Sequence, residues 1–372
     1  MRRLFGVCVL ILILMLAGCG GEKNVVSAEE TRVVKDHLGY QITLPKRIER
    51  VAVCDVFPLP SVISVFFDSA QKLVAVAPAS KTAAEHSLLG ELYPEILQVA
   101  TGPVSGSSVN TEELLKLRPQ VVFYSASNPR LGEKLRRSGF GAVAVSVDRW
   151  SYDTVATLSG WLELLTEIFP EDANQRARLV REYSEQVLKM IGERVAQVKD
   201  RDRVRTFFLF QYSDKSVVTS GRNFFGQYWA NAVGAVNVAE KLQGQNTVKA
   251  TMEQVYAWNP ECIFITNFTS VMPEDLRTGS SGHNWQGIKA VQQGRVYKMP
   301  LGMYRSYTPG IDTPVTLLYL AKTVYPKLFQ DVDVIEKTQQ YYQRIFGINL
   351  SRAQAKRIFA PDKKAGGISP VD

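Results

Sequence analysis

The sequence predicts an α/β protein with two halves that one long helix joins. The chain has 372 residues, which is more than most single domains contain. Short apolar runs alternate with helical patterns from Arg50 onward, as is typical of βα units around a largely parallel sheet. A segment of the first half also recurs in the second half. A single continuous domain is the alternative that length leaves open.

The first half opens with a predicted β-hairpin over residues 32–44, around His37-Leu-Gly-Tyr40. Four apolar runs then predict strands, and three periodic segments between them predict helices. The predicted strands cover residues 51–54, 72–76, 120–124 and 142–146, and the predicted helices cover residues 60–68, 111–117 and 129–138. Two further helices are predicted over residues 152–169 and 171–199, with Pro170 at the start of the second.

The second half repeats this alternation of strands and helices. The predicted strands cover residues 204–211, 217–218, 262–266 and 295–299, and the predicted helices cover residues 224–233, 252–258, 313–325 and 333–346. The tail after Ala360 is predicted to be unstructured.

The two halves share a motif in which a helix, a proline-containing turn and an apolar strand follow one another. Residues 111–123 align without gaps on residues 252–264. Each helix start offers a capping pair, Asn110 with Glu113 and Thr251 with Gln254. Glu112 and Glu253, at the second helical position, are not needed for capping. On their own they would only complement the helix dipole.

The N-terminus has the pattern of a secretion signal. Arg2 and Arg3 precede an apolar run over residues 4–17, which is short for a membrane span. The run ends in Leu16-Ala-Gly-Cys19, which resembles a bacterial lipobox. We expect residues 1–18 to be removed, Cys19 to carry lipids, and residues 19–31 to form a polar tether. A signal anchor with an incidental cysteine is the alternative.

Composition excludes several classes of function. The formal charge of +8 falls to +6 without Arg2 and Arg3 and is spread along the chain, so no nucleic-acid partner is expected. The three histidines and four cysteines lack CxxC and HxxxH spacing, which excludes zinc fingers and metalloprotease motifs. No Gly-x-Ser-x-Gly or similar catalytic motif occurs, so we expect a protein that is not an enzyme. Cys54 and Cys262 lie in apolar runs and are predicted to be core residues without a disulfide.

The chain resembles the metal-chelate solute-binding lipoproteins, which serve ABC importers of ferric siderophores, haem and vitamin B12. The resemblance covers residues 32–329. It rests on the lipobox, an opening segment with Gly39 and Pro45, Asn110-x-Glu112 followed by Pro119-Gln-Val-Val, and Gln293-Gly-Arg-Val-Tyr297. It implies two Rossmann-like lobes on one long helix, a ligand cleft between the lobes, and little hinge motion.

The resemblance also implies a division of the chain and a partner. Together with the alternation of strands and helices along the chain, it predicts an N-terminal lobe over residues 32–169, a connecting helix over 170–200, a C-terminal lobe over 201–360 and a tail over 361–372. In the family a glutamate in each lobe meets arginines of the permease dimer, a role that Glu112 and Glu253 match. The implied partners are therefore the permease dimer with its ATPase, and the membrane through the lipid anchor. We expect the protein to be a monomer in the cell envelope.

Candidate ligand-binding residues follow the strands. Open α/β folds bind ligands at the carboxyl ends of strands, and here those segments are rich in aromatic residues and arginine. Aromatic rings offer flat contact to a chelate, and arginine binds anionic oxygens with its planar fork. The candidates are Phe57, Tyr124, Trp150, Tyr212, Arg222, Tyr228, Trp229, Tyr304, Arg305 and Tyr307. Core packing is the alternative for each aromatic residue, and a surface salt bridge is the alternative for Arg222.

The expected ligand is a ferric siderophore or a similar metal chelate whose metal is already coordinated. No intrinsic cofactor and no bare metal site are expected, because a transition-metal site needs two or more converging ligands. His283, beside Trp285, is the one histidine for which a ligand contact is left open. Haem, corrinoid and nickel or cobalt chelates are alternative ligands. A chelate-modifying extracytoplasmic enzyme is the alternative function.

Overall fold

The structure is a computed structural model that describes residues 30–366, except residues 107, 174, 280 and 281. The predicted signal peptide, the lipidation site Cys19 and most of the predicted tether lie outside the described residues. Among the helices that are described, none is long and apolar enough to cross a membrane.

The N-terminal half contains a parallel sheet with helices around it. Its strands are β1 (Thr31–Lys35), β2 (Gln41–Pro45), β3 (Val51–Val53), β4 (Leu73–Ala75), β5 (Val104–Ser105), β6 (Ser108–Val109), β7 (Val121–Ser125) and β8 (Ala142–Val145). Its helices are α1 (Leu59–Phe67), α2 (Pro78–Glu85), α3 (Leu88–Leu92), α4 (Thr111–Lys116), α5 (Pro129–Arg137) and α6 (Thr154–Ile168).

The main N-terminal sheet has the strand order β4-β3-β7-β8, and all neighbouring strands are parallel. All residues of β3 and β8 are buried. Such continuous apolar strands are typical of a parallel sheet that helices cover on both faces. The four strands that the apolar runs predict are therefore confirmed.

The predicted hairpin is formed by β1 and β2, which pair antiparallel. Asp36 closes its turn by accepting hydrogen bonds from the backbone amides of Leu38 and Tyr40 at 3.0 and 2.9 Å. Gly39 has a φ of +87° in this turn, a conformation that favours glycine. Next to the turn, the Ser146 amide donates to His37 Nδ1 at 3.0 Å, which attaches the hairpin to the end of β8.

One helix, α7 (Arg176–Val195), connects the two halves. Its 20 residues span about 30 Å at 1.5 Å per residue. The helix is shorter than the predicted connector over residues 170–200. Its inner face carries the buried residues Val180, Ser184, Val187 and Ile191, which recur at helical spacing.

The C-terminal half contains a second, larger sheet. Its strands are β9 (Arg205–Ser213), β10 (Ser216–Ser220), β11 (Val236–Asn237), β12 (Thr247–Ala250), β13 (Cys262–Ile265) and β14 (Val296–Lys298). Its helices are α8 (Phe225–Ala232), α9 (Met252–Trp258), α10 (Pro273–Thr278), α11 (Lys289–Gln292), α12 (Thr313–Val324), α13 (Val334–Phe346) and α14 (Arg352–Ile358).

The second sheet is mixed, with the main order β12-β10-β9-β13-β14. Strands β9, β13 and β14 are parallel, whereas β10 pairs antiparallel with both β9 and β12. The sequence predicts a largely parallel sheet. This prediction is confirmed for the central strands of the lobe and is wrong for the edge that β10 and β12 form. The reason is the two-residue turn after β9, which can only return the chain antiparallel.

The C-terminal helices pack across the boundary between the halves. Tyr341, Tyr342 and Phe346 of α13 are buried in the core cluster that also contains Val51 and Trp161 of the N-terminal half. The predicted lobe bounds remain predictions. The structure adds that helix α13, which follows the second sheet in the chain, packs into the core of the N-terminal half.

Several elements were not predicted, and the tail prediction is wrong for residues 363–366, the part of the tail with a described turn. Helix α14 begins with a capping box between Ser351 and Gln354, a signal that the sequence contains. Lys363–Gly366 forms a 3-10 turn instead of unstructured chain. Cys54 and Cys262 are buried free thiols, as predicted, and burial raises the pKa of both, that of Cys262 to about 12.

Candidate functional site

The carboxyl ends of β13 and β14 lead into two segments that converge between the halves. Thr266, Asn267 and Phe268 follow β13, and residues 299–312, here called the Arg305 loop, follow β14. Asn267 joins the two segments, because its Nδ2 donates hydrogen bonds to the carbonyls of Met299 and Pro300 at 2.8 and 3.0 Å. The predicted binding edge of the C-terminal sheet is therefore one connected unit.

Arg305 lies at the centre of this unit and is fully buried, with 0% of its surface exposed. Its guanidinium carbon lies 4.8 Å from the centroid of the Phe268 ring and 6.0 Å from that of Tyr304. Burial lowers the pKa of Arg305, but a guanidinium keeps its charge at neutral pH. The site thus holds a buried cation against aromatic faces.

Tyr304 adds a polar group beside this cation. The residue is 3% exposed, and its buried hydroxyl has no hydrogen-bond partner among the described residues. The buried Oδ1 of Asn267 likewise has no partner in the described part of the chain. Buried polar atoms without partners are costly and are frequent where a ligand or water completes the bonding.

Lys298, the last residue of β14, is a second buried basic residue near the site. Its Nζ donates to the carbonyls of Thr269 and Val271, each at 2.6 Å, which holds the segment after Phe268. Burial lowers the pKa of Lys298 to about 7, and the positive charge of Arg305 contributes in the same direction.

Asp312 connects the Arg305 loop to helix α13 by hydrogen bonds. It accepts hydrogen bonds from the Met303 amide at 2.6 Å and from the Tyr342 hydroxyl of α13. The backbone of Gly302 runs so close to this carboxylate that an added Cβ would lie 2.0 Å from Asp312 Oδ1. Glycine is therefore required at this position by close approach and not by its φ angle.

The N-terminal half touches the Arg305 loop directly. The Leu88 amide donates to the Gly302 carbonyl at 3.0 Å, and the Ser87 hydroxyl donates to the Met303 carbonyl at 3.4 Å. Further along the interface, the Tyr152 ring packs edge-on against Phe224 and Phe225 at 5.5 and 5.2 Å. The halves are thus in contact around the site.

The structure brings some of the predicted residues together at this interface. Tyr307 is fully buried; its hydroxyl accepts from the Gly226 amide at 3.0 Å, and its carbonyl accepts from Trp229 Nε1 at 2.9 Å. Tyr228 packs against Trp229 and faces Asp153 of the N-terminal half; burial and that charge raise its pKa. Phe57 is half-buried and packs against core clusters of both halves.

Other predicted residues lie elsewhere. Tyr124 is buried in the N-terminal core and accepts a hydrogen bond from Arg136 at 2.9 Å. Trp150 packs over Gly160 and edge-on against His37 at 5.2 Å. Tyr212 lies in a cluster with His283 and Trp285. Arg222 is exposed.

His283 is the histidine for which the sequence leaves a ligand contact open. Among the described residues it belongs to no group of three or more His, Cys, Asp or Glu side chains that could hold a metal ion. Its Nδ1 lies 2.6 Å from the Tyr212 hydroxyl, which also accepts from Trp285 Nε1 at 3.2 Å and from the His283 amide at 3.1 Å. Since the hydroxyl accepts two N–H bonds, its own proton points to His283 Nδ1. This histidine therefore has a structural hydrogen bond.

Sequence reasoning missed Asn267, Phe268, Phe210 and Tyr152. Phe210 stacks on Phe268 at 4.8 Å and continues the aromatic surface toward Tyr307 at 5.6 Å. The signal for Asn267 and Phe268 was present, because they directly follow a predicted strand. Tyr152 had no comparable signal, since its contact with Phe224 joins distant parts of the chain.

The two duplicated helix starts carry the glutamates Glu112 and Glu253, and both side chains are exposed. Asn110 caps α4 by accepting from the amides of Glu112 and Glu113 at 3.1 and 3.3 Å. The reciprocal box forms in α9 between Thr251 and Gln254. In α4, however, the Glu113 carboxylate lies 3.8 Å from Lys116 instead of reaching back.

Comparisons with known proteins agree with this architecture. A family model described as periplasmic binding protein matches residues 68–301. The molybdate-binding protein MolA of Haemophilus influenzae is 27% identical over 367 residues, which cover 92% of this chain and 99% of MolA. A periplasmic solute binding protein from Veillonella parvula superposes with a TM-score of 0.76 at 27% identity, covering 89% of this chain and 97% of that one.

A more distant structure shows the same fold. CeuE of Helicobacter pylori with Ni(II) bound has a TM-score of 0.69 at 21% identity, and the match covers 88% of this chain and 99% of that one.

Proposed function

The chain belongs to the periplasmic binding protein family, whose members deliver ligands to ABC importers, and on that premise we propose that it is a lipid-anchored binding protein for an anionic metal species. The ligand binds between the lobes at Arg305, and the loaded protein passes it to a permease dimer with its ATPase. The predicted fold, two lobes with a cleft and a connecting helix, is the fold of this family.

The buried guanidinium of Arg305 is the observation that carries this proposal. A cation packed on Phe268 and beside the Tyr304 hydroxyl can bind anionic oxygens through charge-assisted hydrogen bonds. In a partly desolvated cleft such bonds are stronger than at the surface. The arrangement favours an anion over a cation or a neutral corrinoid.

The compactness of the interface supports a small anion. Tyr304, Arg305 and Tyr307 are each at most 3% exposed, and Tyr152 contacts the opposite lobe. A compact oxyanion such as molybdate, for which the Haemophilus influenzae relative is named, is therefore our first candidate, ahead of the ferric siderophore expected from the sequence. An anionic ferric siderophore is the second candidate, because the aromatic rings around Arg305 suit a chelate.

Elemental analysis and mass spectrometry of the protein purified from native membranes test the proposal. We expect a copurifying metal in anionic form. Titration of the unloaded protein with molybdate, an anionic ferric siderophore, haem and cobalamin, followed by tryptophan fluorescence, then ranks the ligands. Tight binding of cobalamin alone, or turnover of a chelate, would contradict the proposal.

Cys19→Ser should abolish lipid attachment. The expected result follows from the lipobox, because the thiol of Cys19 is the atom that would take the lipid. The measurement is metabolic labelling with palmitate, together with fractionation of membranes. Cys262→Ser, which changes a buried thiol, is the control. Palmitate labelling that persists in Cys19→Ser would show that the anchor is elsewhere.

Glu112→Ala and Glu253→Ala should each reduce uptake severalfold while ligand affinity stays nearly unchanged. Both carboxylates are exposed, whereas Arg305 is fully buried. A backbone hydrogen bond at the helix start, followed by a hydrogen bond from the Thr251 hydroxyl, lowers the pKa of Glu253. Uptake of the radioactive ligand into cells is compared with titration of the purified variants. A tenfold loss of ligand affinity, about 1.4 kcal/mol, would instead place that glutamate in the cleft.

A further inference from the structure

Two exposed apolar side chains occupy matching positions in the two lobes. Among the described residues, five large apolar side chains are exposed: Val33, Leu38, Tyr40, Leu115 and Tyr256. The first three lie on or beside the β1–β2 hairpin. Leu115 and Tyr256, with 50% and 41% of their surface exposed, instead fall on the same position of the duplicated motif.

Each of these side chains lies one helical turn after an exposed glutamate. Leu115 is three residues after Glu112, and Tyr256 is three residues after Glu253. Residues at this spacing share one face of a helix. The preceding residues, Leu114 and Val255, are fully buried and attach each helix to its lobe.

The two helices also have the same orientation on their sheets. Arg50, just before β3, donates from Nε to the Leu117 carbonyl at the end of α4 at 2.7 Å. Arg205, the first residue of β9, donates from Nη1 to the Trp258 carbonyl at the end of α9 at 3.0 Å. The end of each helix therefore lies at the amino edge of its sheet, and its start points toward the carboxyl edge that borders the cleft.

In the C-terminal lobe, neighbouring residues hold Glu253 and Tyr256 in place. The Tyr256 hydroxyl donates to the Asn284 carbonyl, and its ring lies against Gly287, where an added Cβ would be 3.3 Å away. The capping box of Thr251 and Gln254 fixes the helix start that carries Glu253. An exposed aromatic ring that is already ordered loses little conformational freedom on binding.

We propose that the docking surface consists of two equivalent half-sites, each made of a glutamate and an apolar side chain one turn later. The half-sites are Glu112 with Leu115 and Glu253 with Tyr256. Their partner is a two-fold symmetric membrane dimer that presents a basic side chain next to an apolar recess in each subunit. This inference rests on the proposed function and adds the apolar half of the contact.

A symmetric dimer is the occupant that fits the duplication. One chain with a matching acidic and apolar pair in each lobe is complementary to a partner that presents the same basic and apolar pair twice. The acidic residues would guide the encounter, whereas the apolar residues would be buried in the complex and slow dissociation. Because one half-site carries leucine and the other tyrosine, the recess must accept both shapes.

The test measures binding of the ligand-loaded protein to the purified importer, reconstituted in lipid nanodiscs with its permease dimer and ATPase. Leu115→Ala and Tyr256→Ala should each weaken this binding about tenfold, and the double variant should lose about a hundredfold, since distant sites add. Leu115→Met and Tyr256→Phe keep apolar volume and should bind as the unchanged protein does. Ligand affinity should stay the same in all of them.

Leu38→Ala and Tyr40→Ala are matched controls, because these side chains have similar exposure, 43% and 49%. They should leave importer binding unchanged. High salt should weaken the contribution of Glu112 and Glu253 while the losses caused by Leu115→Ala and Tyr256→Ala persist.

Three outcomes separate this inference from the proposed function. If Glu112→Ala and Glu253→Ala weaken binding but Leu115→Ala and Tyr256→Ala do not, the apolar half-sites are wrong and the function stands. The same conclusion follows if Leu38→Ala and Tyr40→Ala weaken binding to the importer as much as Leu115→Ala and Tyr256→Ala do. If the unchanged, loaded protein does not bind the importer, the proposed function itself is wrong.

Discussion

Arg305→Ala is expected to weaken binding of the anionic ligand by roughly 1.5–3 kcal/mol, or about ten- to a hundredfold. The variant removes a charge-assisted contact from a buried site next to Phe268 and Tyr304. Titration of the purified protein with molybdate and with an anionic ferric siderophore, followed by tryptophan fluorescence, gives the affinities. Thermal unfolding of the same samples shows whether the variant is folded.

Arg305→Lys should recover only part of the affinity, because an ammonium group cannot reproduce the planar fork of arginine. Arg222→Ala is the matched control, since Arg222 is an exposed arginine of the same lobe. We expect it to bind almost normally, which would also answer whether this residue contacts ligand. Tight anion binding that does not change in Arg305→Ala would remove Arg305 from the site.

Most strands could be predicted from the sequence, because buried strands consist of continuous apolar residues. Val121-Val-Phe-Tyr124 and Cys262–Ile265 are apolar throughout, as strands of a covered parallel sheet must be. The edge strand Thr247–Ala250 was not predicted, since only its last residue is buried and its sequence is not an apolar run. The duplicated motif was a reliable guide, because both copies form a capped helix and a parallel strand.

The candidate site was only partly predictable, as two tyrosines show. Tyr124 and Tyr304 both come at or after a strand end, yet Tyr124 lies in the N-terminal core with Arg136. Tyr304 lies beside Arg305 with an unpartnered hydroxyl in the described structure. The difference depends on which face of the sheet each side chain points to and on contacts between distant segments. Local sequence contains neither.

Asp312→Ala is expected to lower the free energy of unfolding by roughly 2–5 kcal/mol. The variant leaves the Met303 amide and the Tyr342 hydroxyl without their acceptor inside the protein. It also removes the brace of the Arg305 loop, so we expect ligand affinity to fall with stability. Urea unfolding measures the first effect and titration the second. Asp214→Ala, at an exposed aspartate, is the control and should change neither.

Asp312→Asn keeps one of the two acceptor oxygens at this position and has no titratable group, so the comparison isolates the pH dependence of stability that Asp312 contributes. Burial raises the pKa of Asp312 from 3.8 to about 6, so the folded state retains a proton that the unfolded state has released. The contribution of Asp312 is therefore complete below about pH 4 and is lost as the pH rises through about 6, a total change of about 3 kcal/mol.

His37 changes stability in the opposite direction over nearly the same pH range. Burial lowers its pKa from 6.5 to about 4, so its contribution is complete above about pH 6.5 and is lost as the pH falls through 4. Both the unchanged protein and Asp312→Asn contain His37, so its effect cancels in the difference between their unfolding free energies. As the pH rises from 4 to 6, we expect the unchanged protein to lose stability relative to Asp312→Asn. A difference that is constant over this range would mean that Asp312 is ionised throughout and that burial does not raise its pKa.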